Sequence, residues 1–260
     1  MKQRIITAVV ALAVLGVLLF LMPPIVVRVA IGLVVLAGAW EWSAFLGHAS
    51  TAARLPYVAL IGLLILGMAT YLGPYTEQVL MLSLVWWAVA LLWTFFYPTP
   101  IPTALRWLIG ALVLVPLYCA LMLLYADSPM LLVFALLIVW VADSGAYLAG
   151  KTLGRVKLAP QISPGKTWEG VIGGLVAVVL LIVLRSIKVE TDFAVLVPFC
   201  LAVAALSVVG DLTVSMFKRT AGVKDSGTLF PGHGGVLDRI DSVAAAAPLF
   251  ALGLDWAGVA

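Results

Sequence analysis

Long apolar runs, separated by helix-breaking residues, constrain the fold of this chain more than any other feature. Hydrophobic residues make up 64% of the chain and charged residues 10%, against roughly 45–50% and about 25% in soluble globular proteins. A helix needs about 20 apolar residues to cross a bilayer. We therefore predict an all-α, polytopic integral membrane protein with about nine transmembrane helices. The predicted spans are Ile5–Met22, Ile25–Leu46, Leu55–Leu72, Val79–Tyr97, Leu105–Tyr125, Met130–Ala149, Gly170–Ile187, Phe193–Val209 and Ser242–Trp256.

The distribution of Lys and Arg predicts how the chain is oriented. The N-terminal residues resemble a signal peptide, but no small-x-small cleavage site precedes Pro23, so a retained first helix is expected. With the N-terminus inside, only Arg28, Arg185 and Lys188 of the 15 Lys and Arg fall on the outer side. Because cytoplasmic loops carry an excess of Lys and Arg, the N-terminus is predicted to be cytoplasmic and the C-terminus to lie outside.

The predicted helices divide into two regions. Residues 1–125 hold five predicted helices, which we interpret as a membrane scaffold. Residues 126–260 hold four predicted helices and two inner loops, 150–169 and 210–241. These two loops are long, charged and rich in Gly. Since both face the same compartment, they can meet. Charge near hydrocarbon is expensive and is rarely kept without a use, so the C-terminal region is predicted to carry the chemistry.

Polar residues concentrate around the end of helix eight. Asp211, Ser215 and Lys218 lie within about 60° of one another on a helical projection, so they share one face, with Arg219 at its margin. One interpretation is a carboxylate paired with a cation across a helix end. The other is a substrate site, which we favour because further polar groups follow in the same loop.

Two acids begin helix nine. Asp238 and Asp241 are spaced i, i+3, so they share a face if that helix begins near Leu237. Acidic residues favour helix N-termini, which explains one of them. Two acids facing the preceding helix are more typical of a divalent-cation site, because Mg²⁺ prefers carboxylate oxygens. The Pro231–Gly235 turn offers backbone N–H groups to phosphate, and His233 within it could contact phosphate, shuttle a proton or simply pack in the loop.

A second polar segment, Ser163–Gly170, is expected to begin helix seven. Ser163 suits an N-cap and the Pro after it suits the first helical position, which indicates a well-capped helix start. Alternatively, Lys166 and Thr167 in the first turn would form an anion site with exposed N–H groups. Asp143, inside helix six, is either a functional group or paired with a nearby Lys or Arg.

From Ser215 to Asp241 the chain resembles the signature of the phosphatidate cytidylyltransferases. The pattern runs S-x-hydrophobic-K-R, K-D, H-G-G and D-R-hydrophobic-D, and every fixed position is met. The segments Asp143–Tyr147 and Ser163–Gly170 also resemble that family. The resemblance covers roughly the second half of the chain, while the first five helices are similar only in being apolar.

This resemblance implies transfer of a cytidylyl group from CTP to phosphatidic acid, giving CDP-diacylglycerol and pyrophosphate in phospholipid biosynthesis. It implies Mg²⁺ held by Asp211 and Asp238, a second cation such as K⁺, and a homodimer in the bacterial inner membrane with the site facing the cytoplasm. The alternatives are a cytidylyltransferase or kinase acting on another membrane lipid, or a transporter. A formal net charge of +3 gives no indication of a nucleic-acid partner.

Both reactants in that transfer are anions, so Lys and Arg side chains and metal ions should neutralise and align them. The predicted catalytic residues are Asp211, Asp238, Lys218, Arg219, Asp241 and His233. The predicted substrate-binding residues are Ser163, Lys166, Thr167, Glu169, Ser215, Lys224, Asp225, Gly234, Gly235, Arg239 and Asp143.

Overall fold

The computed structural model of the protein describes residues 2–47, 50–71, 73–190, 192–227 and 234–254. Within those ranges the chain forms nine α-helices and one two-stranded antiparallel sheet. In chain order the helices are α1 (Lys2–Leu21), α2 (Pro24–Trp42), α3 (Thr51–Thr70), α4 (Thr76–Thr94), α5 (Thr103–Asp127), α6 (Pro129–Leu153), α7 (Trp168–Ser186), α8 (Phe193–Thr220) and α9 (Leu237–Leu252). The strands β1 (Lys157–Ala159) and β2 (Ser163–Thr167) lie between α6 and α7. The fold is therefore nearly all-α.

Seven of the described helical segments are long and apolar enough to cross a membrane. They correspond to α2 through α8, and a short 3-10 turn extends the first of them to Leu46. The side chains of α1 are described from Val9 onward, and that part of the helix, Val9–Leu21, is apolar. Helix α9 has 16 residues, fewer than the roughly 20 that a span needs. The membrane character is thus confirmed, while nine spans and the sidedness of the termini stay predictions.

The short helix α9 lies inside the bundle. It packs against α8 and also against α5, α4 and α2, which belong to the first half of the chain. Its Ala244–Ala247 run is fully buried, and these small side chains let the neighbouring helices approach closely. On α8, a Cβ at Gly210 would collide with the Asp241 carbonyl oxygen. Close packing there places the next residue, Asp211, beside the start of α9. The proposed division of the chain at residue 125 stays a prediction.

Small residues also bring α6 and α7 together. A Cβ added to Gly174 would lie 2.6 Å from the Ala142 carbonyl oxygen, and one added to Gly170 would lie 2.9 Å from that of Ala146. Since real Cβ atoms almost never approach a backbone oxygen so closely, these two positions need glycine. Gly170 and Gly174, which are four residues apart on one face of α7, therefore let α6 and α7 pack closely within the chain.

The segment expected to begin helix seven is instead a strand. Ser163 pairs with Ala159, and Thr167 pairs with Lys157, so Ser163–Thr167 forms β2 of a hairpin. Helix α7 begins at Trp168, and Thr167 is its N-cap. The prediction of Ser163 as the N-cap was therefore wrong, because strand pairing overrides its capping preference. Lys166 and Thr167 consequently precede the first helical turn.

Two helices extend by a turn or more beyond their predicted ends. Helix α8 continues from Val209 to Thr220, and α6 continues from Ala149 to Leu153. Their last turns are polar, so an apolar count ends too early. As a result Asp143 lies nearly three helical turns from the end of α6, deeper than the predicted end at Ala149 implied.

Candidate active site

The two charged loops meet at an ion pair. The Lys166 Nζ of β2 lies 2.6 Å from the Asp211 Oδ2 of α8. Nearby, the Arg219 Nε donates a hydrogen bond of 3.2 Å to the Ile162 carbonyl oxygen. The expectation that the loops after helices six and eight face one another is thus confirmed. The Lys166 and Asp211 side chains keep 26% and 30% of their area exposed, so this part of the site stays open to a ligand.

The polar face of α8 connects this ion pair to a second one. The Ser215 hydroxyl donates to Asp211 Oδ1 at 3.1 Å, one turn away along the helix. Lys218 reaches in the other direction, and its Nζ lies 2.8 Å from the Asp238 Oδ1 of α9. This second pair is nearly closed to solvent, with 11% and 10% of its side chains exposed. The predicted shared face therefore bridges β2 and α9.

The Asp238 carboxylate accepts hydrogen bonds from backbone N–H groups as well as from Lys218. Its Oδ2 accepts from the backbone N–H groups of Ser226 at 3.0 Å and Gly235 at 2.9 Å. Burial alone would raise the pKa of this carboxyl, but the Lys218 and backbone hydrogen bonds outweigh that effect and lower it. Gly234 has a positive φ of 79°, and a Cβ there would lie 2.6 Å from Asp238 Oδ2. The glycine thus permits the turn that holds an ionised carboxylate.

Two further acids surround Asp211. Asp241 is buried on α9, and its Oδ1 accepts from the Ser242 N–H at 2.8 Å. Burial, and then the nearby Asp211 carboxylate, raise the pKa of Asp241. Asp143 on α6 hydrogen-bonds the Ser242 side chain and interacts electrostatically with Asp211, Lys166 and Arg239. Acids from α6, α8 and α9 therefore face one region, with cations between them.

The other predicted residues contribute in different ways. Thr167 is buried, and its Oγ1 accepts from the Gly170 N–H at 3.1 Å, so it fixes the start of α7. Both Glu169 carboxylate oxygens accept from the Val156 N–H, so this acid ties α7 to the loop before β1. Lys224 and Asp225 are exposed beyond α8. The ligand-binding roles of all the predicted residues stay predictions, and His233 lies outside the described residues.

Glu41 on α2 belongs to the site although no motif includes it. The side chain is buried, with 5% exposed. Its Oε1 accepts from the Val236 N–H at 2.9 Å, and its Oε2 accepts from the Leu237 N–H and the Ser226 hydroxyl, each at 2.8 Å. The signal in the sequence was a lone acid in an apolar helix. Its partners lie 185 to 196 residues away along the chain, so sequence spacing could not identify them.

The donor set suits a hard cation that shares its ligands with substrate. Among the described residues, no group of three His, Cys, Asp or Glu side chains is arranged to hold a metal ion by itself. Mg²⁺ typically takes only one or two carboxylates and completes its shell with phosphate oxygens and water. Asp211 and Asp238 each place a carboxylate against a lysine ammonium, so both already contact a positive charge. These residues fit a metal that binds together with a phosphorylated substrate.

Comparison with known proteins gives full-length similarity. Residues 2–256 match the model of the family described as "Cytidylyltransferase family". A phosphatidate cytidylyltransferase of Pseudomonas aeruginosa is 42% identical over 266 residues, which cover 99% of this chain and 97% of the relative. One of Haemophilus influenzae is 38% identical over 286 residues, covering 96% and 97%. One of Staphylococcus aureus is 48% identical over 120 residues, which cover 45% of this chain and 46% of the relative.

Proposed function

The chain belongs to the cytidylyltransferase family, and on that basis we propose that it transfers the cytidylyl group of CTP to phosphatidic acid. The products are CDP-diacylglycerol and pyrophosphate. The observation that carries this proposal is the pair of Asp–Lys contacts, Lys166–Asp211 and Lys218–Asp238, gathered where α8 meets β2 and α9. The two relatives that match over nearly their whole length both bear the name of this activity.

The reaction requires two anions to approach each other. A phosphate oxygen of the lipid forms a bond to the α-phosphorus of CTP, and the bond from that phosphorus to the β-phosphate oxygen breaks, so pyrophosphate leaves with the electron pair. Little covalent chemistry falls to the protein, because positioning and charge neutralisation dominate phosphoryl-type transfers. Lys166 and Lys218 supply positive charge within the site, and Arg219, Lys224 and Arg239 flank it. These cations hold the phosphates of both reactants.

We assign Asp211 and Asp238 as ligands of Mg²⁺. When bound, the ion would neutralise charge that develops on the phosphate oxygens. In that state Lys166 and Lys218, which contact these carboxylates here, are available to substrate phosphates. Asp241 and Asp143 lie close enough to Asp211 to interact with it, so they add negative potential for cations. A second cation such as K⁺ belongs to the same proposal.

The lipid substrate explains why the site is built on membrane helices. Asp211 and Asp143 lie on α8 and α6, which are both long and apolar enough to span a membrane. A headgroup at the interface can then reach the site while its acyl chains stay in the bilayer. The Lys and Arg distribution supports a cytoplasmic position for this face, and the bacterial sources of the relatives support the inner membrane of a bacterial cell. We also propose a homodimer.

The direct test is synthesis of CDP-lipid by the purified protein in detergent from labelled CTP, phosphatidic acid and Mg²⁺. We expect product with the wild type and at least about 100-fold less with Asp211→Asn or Asp238→Asn, since a metal ligand supports several kcal/mol of charge stabilisation. Asp127→Asn, an exposed acid at the end of α5, is the matched control and should leave the rate unchanged.

The outcomes of that assay test the activity, the lipid substrate and the metal ligands separately. No CDP-lipid with any divalent ion would overturn the proposed activity. Product from a different phosphorylated lipid, with none from phosphatidic acid, would reassign the substrate. Near-normal turnover by Asp211→Asn or Asp238→Asn would overturn the metal assignment while leaving the activity in place.

A further inference from the structure

We propose that Glu41 is a positioning residue that holds the Asp238 carboxylate in place from the opposite half of the chain. The inference rests on the proposed function, because it concerns the site where that reaction would occur. Glu41 contacts the segment before Asp238 at two points, the Ser226 hydroxyl and the backbone of Val236 and Leu237. In the sequence, these points lie on either side of the Gly-rich segment 231–235.

The contact with the Val236 and Leu237 backbone replaces a missing helix cap. The first N–H groups of a helix have no partner within it, and Val236, the N-cap of α9, makes no side-chain cap hydrogen bond. Glu41 supplies the acceptors from α2, and its negative charge suits the positive end of the helix dipole. Since Asp238 lies in the first turn of α9, fixing that turn also fixes the position of its carboxylate.

The second contact passes through Ser226. Its hydroxyl donates to Glu41 Oε2 at 2.8 Å, while its backbone N–H donates to Asp238 Oδ2 at 3.0 Å. One residue thus joins the two carboxylates. Displacing the Glu41 carboxylate would therefore release Ser226 and weaken one of the hydrogen bonds that hold Asp238.

Close packing shows that the geometry is built around this carboxylate. A Cβ added to Gly227 or to Gly235 would collide with the Glu41 carboxylate oxygens. Burying a carboxylate is costly unless hydrogen bonds replace its water, and here three donors do so. All three of these donors belong to residues that flank Asp238 or contact it, because Leu237 precedes it in α9 and the Ser226 N–H donates to its carboxylate.

Glu41→Gln is the informative variant because it keeps the size of the side chain. A carboxamide nitrogen cannot accept a hydrogen bond, so at least one of the backbone N–H groups of Val236 and Leu237 or the Ser226 hydroxyl loses its acceptor. Ser226→Ala removes only the link to Glu41 and keeps the backbone N–H that contacts Asp238. Ser43→Ala is the matched control, since Ser43 is buried at the same end of α2 but its hydroxyl donates locally to the Trp40 carbonyl oxygen.

The experiment measures CDP-lipid synthesis as a function of Mg²⁺ concentration, together with Mn²⁺ binding by EPR in the presence of CTP and without lipid. Displacement of a residue that orients a metal ligand lowers metal affinity or activity roughly 10–100-fold. We expect Glu41→Gln to raise the half-saturating Mg²⁺ concentration and the Mn²⁺ dissociation constant by about 10-fold or more. Ser226→Ala should shift both in the same direction, and Ser43→Ala should leave them at wild-type values.

The outcomes separate this inference from the function on which it rests. A wild-type protein that makes no CDP-lipid refutes the proposed function itself. If the wild type is active but Glu41→Gln has unchanged metal midpoints, Glu41 has a structural role alone, because a folding defect lowers the rate equally at every Mg²⁺ concentration. If Glu41→Gln does not fold, the Ser226→Ala midpoints decide: wild-type values overturn the positioning role, and raised values support it.

Discussion

Lys218 and Asp238 form an ion pair whose surroundings give it a different energetic weight from that of Lys166 and Asp211. The first pair is almost closed to solvent, whereas about a quarter or more of each side chain in the second is exposed. Breaking a buried pair leaves an uncompensated charge and is strongly destabilising. A partly exposed pair contributes less to stability, because water and salt screen it. The two lysines, similar in the chemistry proposed for them, should therefore differ in their effect on stability.

Lys218→Met should lower the free energy of unfolding by about 3 kcal/mol, since Asp238 would keep its two backbone hydrogen bonds but lose its cation. Lys166→Met should cost about 1 kcal/mol or less. Thermal unfolding of the purified variants in detergent, without metal or substrate, measures both. Equal losses would show that the Lys218 pair is not buried in the folded protein.

The contact between α6 and α7 shows how an element positions the site. Helix α6 carries Asp143, and α7 follows directly from the strand that carries Lys166. Glycine allows the two backbones to approach, since a Cβ on Gly174 would meet the Ala142 carbonyl oxygen. Any residue larger than glycine would separate the helices and move one acid and one cation relative to α8.

Gly174→Ala should therefore destabilise the protein by roughly 1–3 kcal/mol, the usual range for inserting a methyl group into a filled site, and should also reduce CDP-lipid synthesis. The matched control is Gly32→Ala, because Gly32 lies within α2 and an added Cβ there would meet no atom within 4 Å. Unfolding midpoints and rates of the two variants, measured together, test this. A Gly174→Ala protein as stable and active as Gly32→Ala would contradict the packing argument.

Sequence predicted the elements better than it predicted their ends. Each apolar run became a helix because a bilayer leaves few other structures available. The end of α8 was missed because its last turn carries Lys218 and Arg219, whose partners Asp238 and Ile162 come from other segments. The end of α6 was missed because Lys151 and Thr152 interrupt its apolar run. The Ser163–Thr167 strand was missed because local capping preferences were outweighed by pairing with Lys157–Ala159.

At the scale of the whole molecule, the site draws on both halves of the chain. The motif identified Lys218 and Asp238, and helical spacing added Asp211; the structure brings these residues together through neighbouring helices. They did not identify Glu41, because backbone N–H groups, which every non-proline residue carries, are two of its partners. When a side chain binds backbone groups, its partners can be of almost any residue type, so the sequence does not show which residues they are. Only the packing of α9 against α2 makes its role visible.

The placement of the site on one side of the membrane leads to a final prediction. Helix α7, with 19 residues, is about 28 Å long, close to the thickness of the hydrocarbon core. Lys157 precedes it and Lys188 follows it, and both are exposed. Because CTP is a cytosolic nucleotide, the Lys157 end must face the cytoplasm if the proposed reaction is correct. The excess of Lys and Arg on that side agrees.

Single cysteines at these two positions test the orientation. In a background with both natural cysteines replaced, which are buried, Lys188→Cys should react with a membrane-impermeant maleimide in intact cells. Lys157→Cys should react only after the membrane is opened. Equal labelling of both in lysed membranes is the control that each thiol is accessible. Labelling of Lys157→Cys but not Lys188→Cys in intact cells would place the Asp211 and Asp238 carboxylates on the outer side, where no CTP is supplied, and the proposed reaction would have to be abandoned.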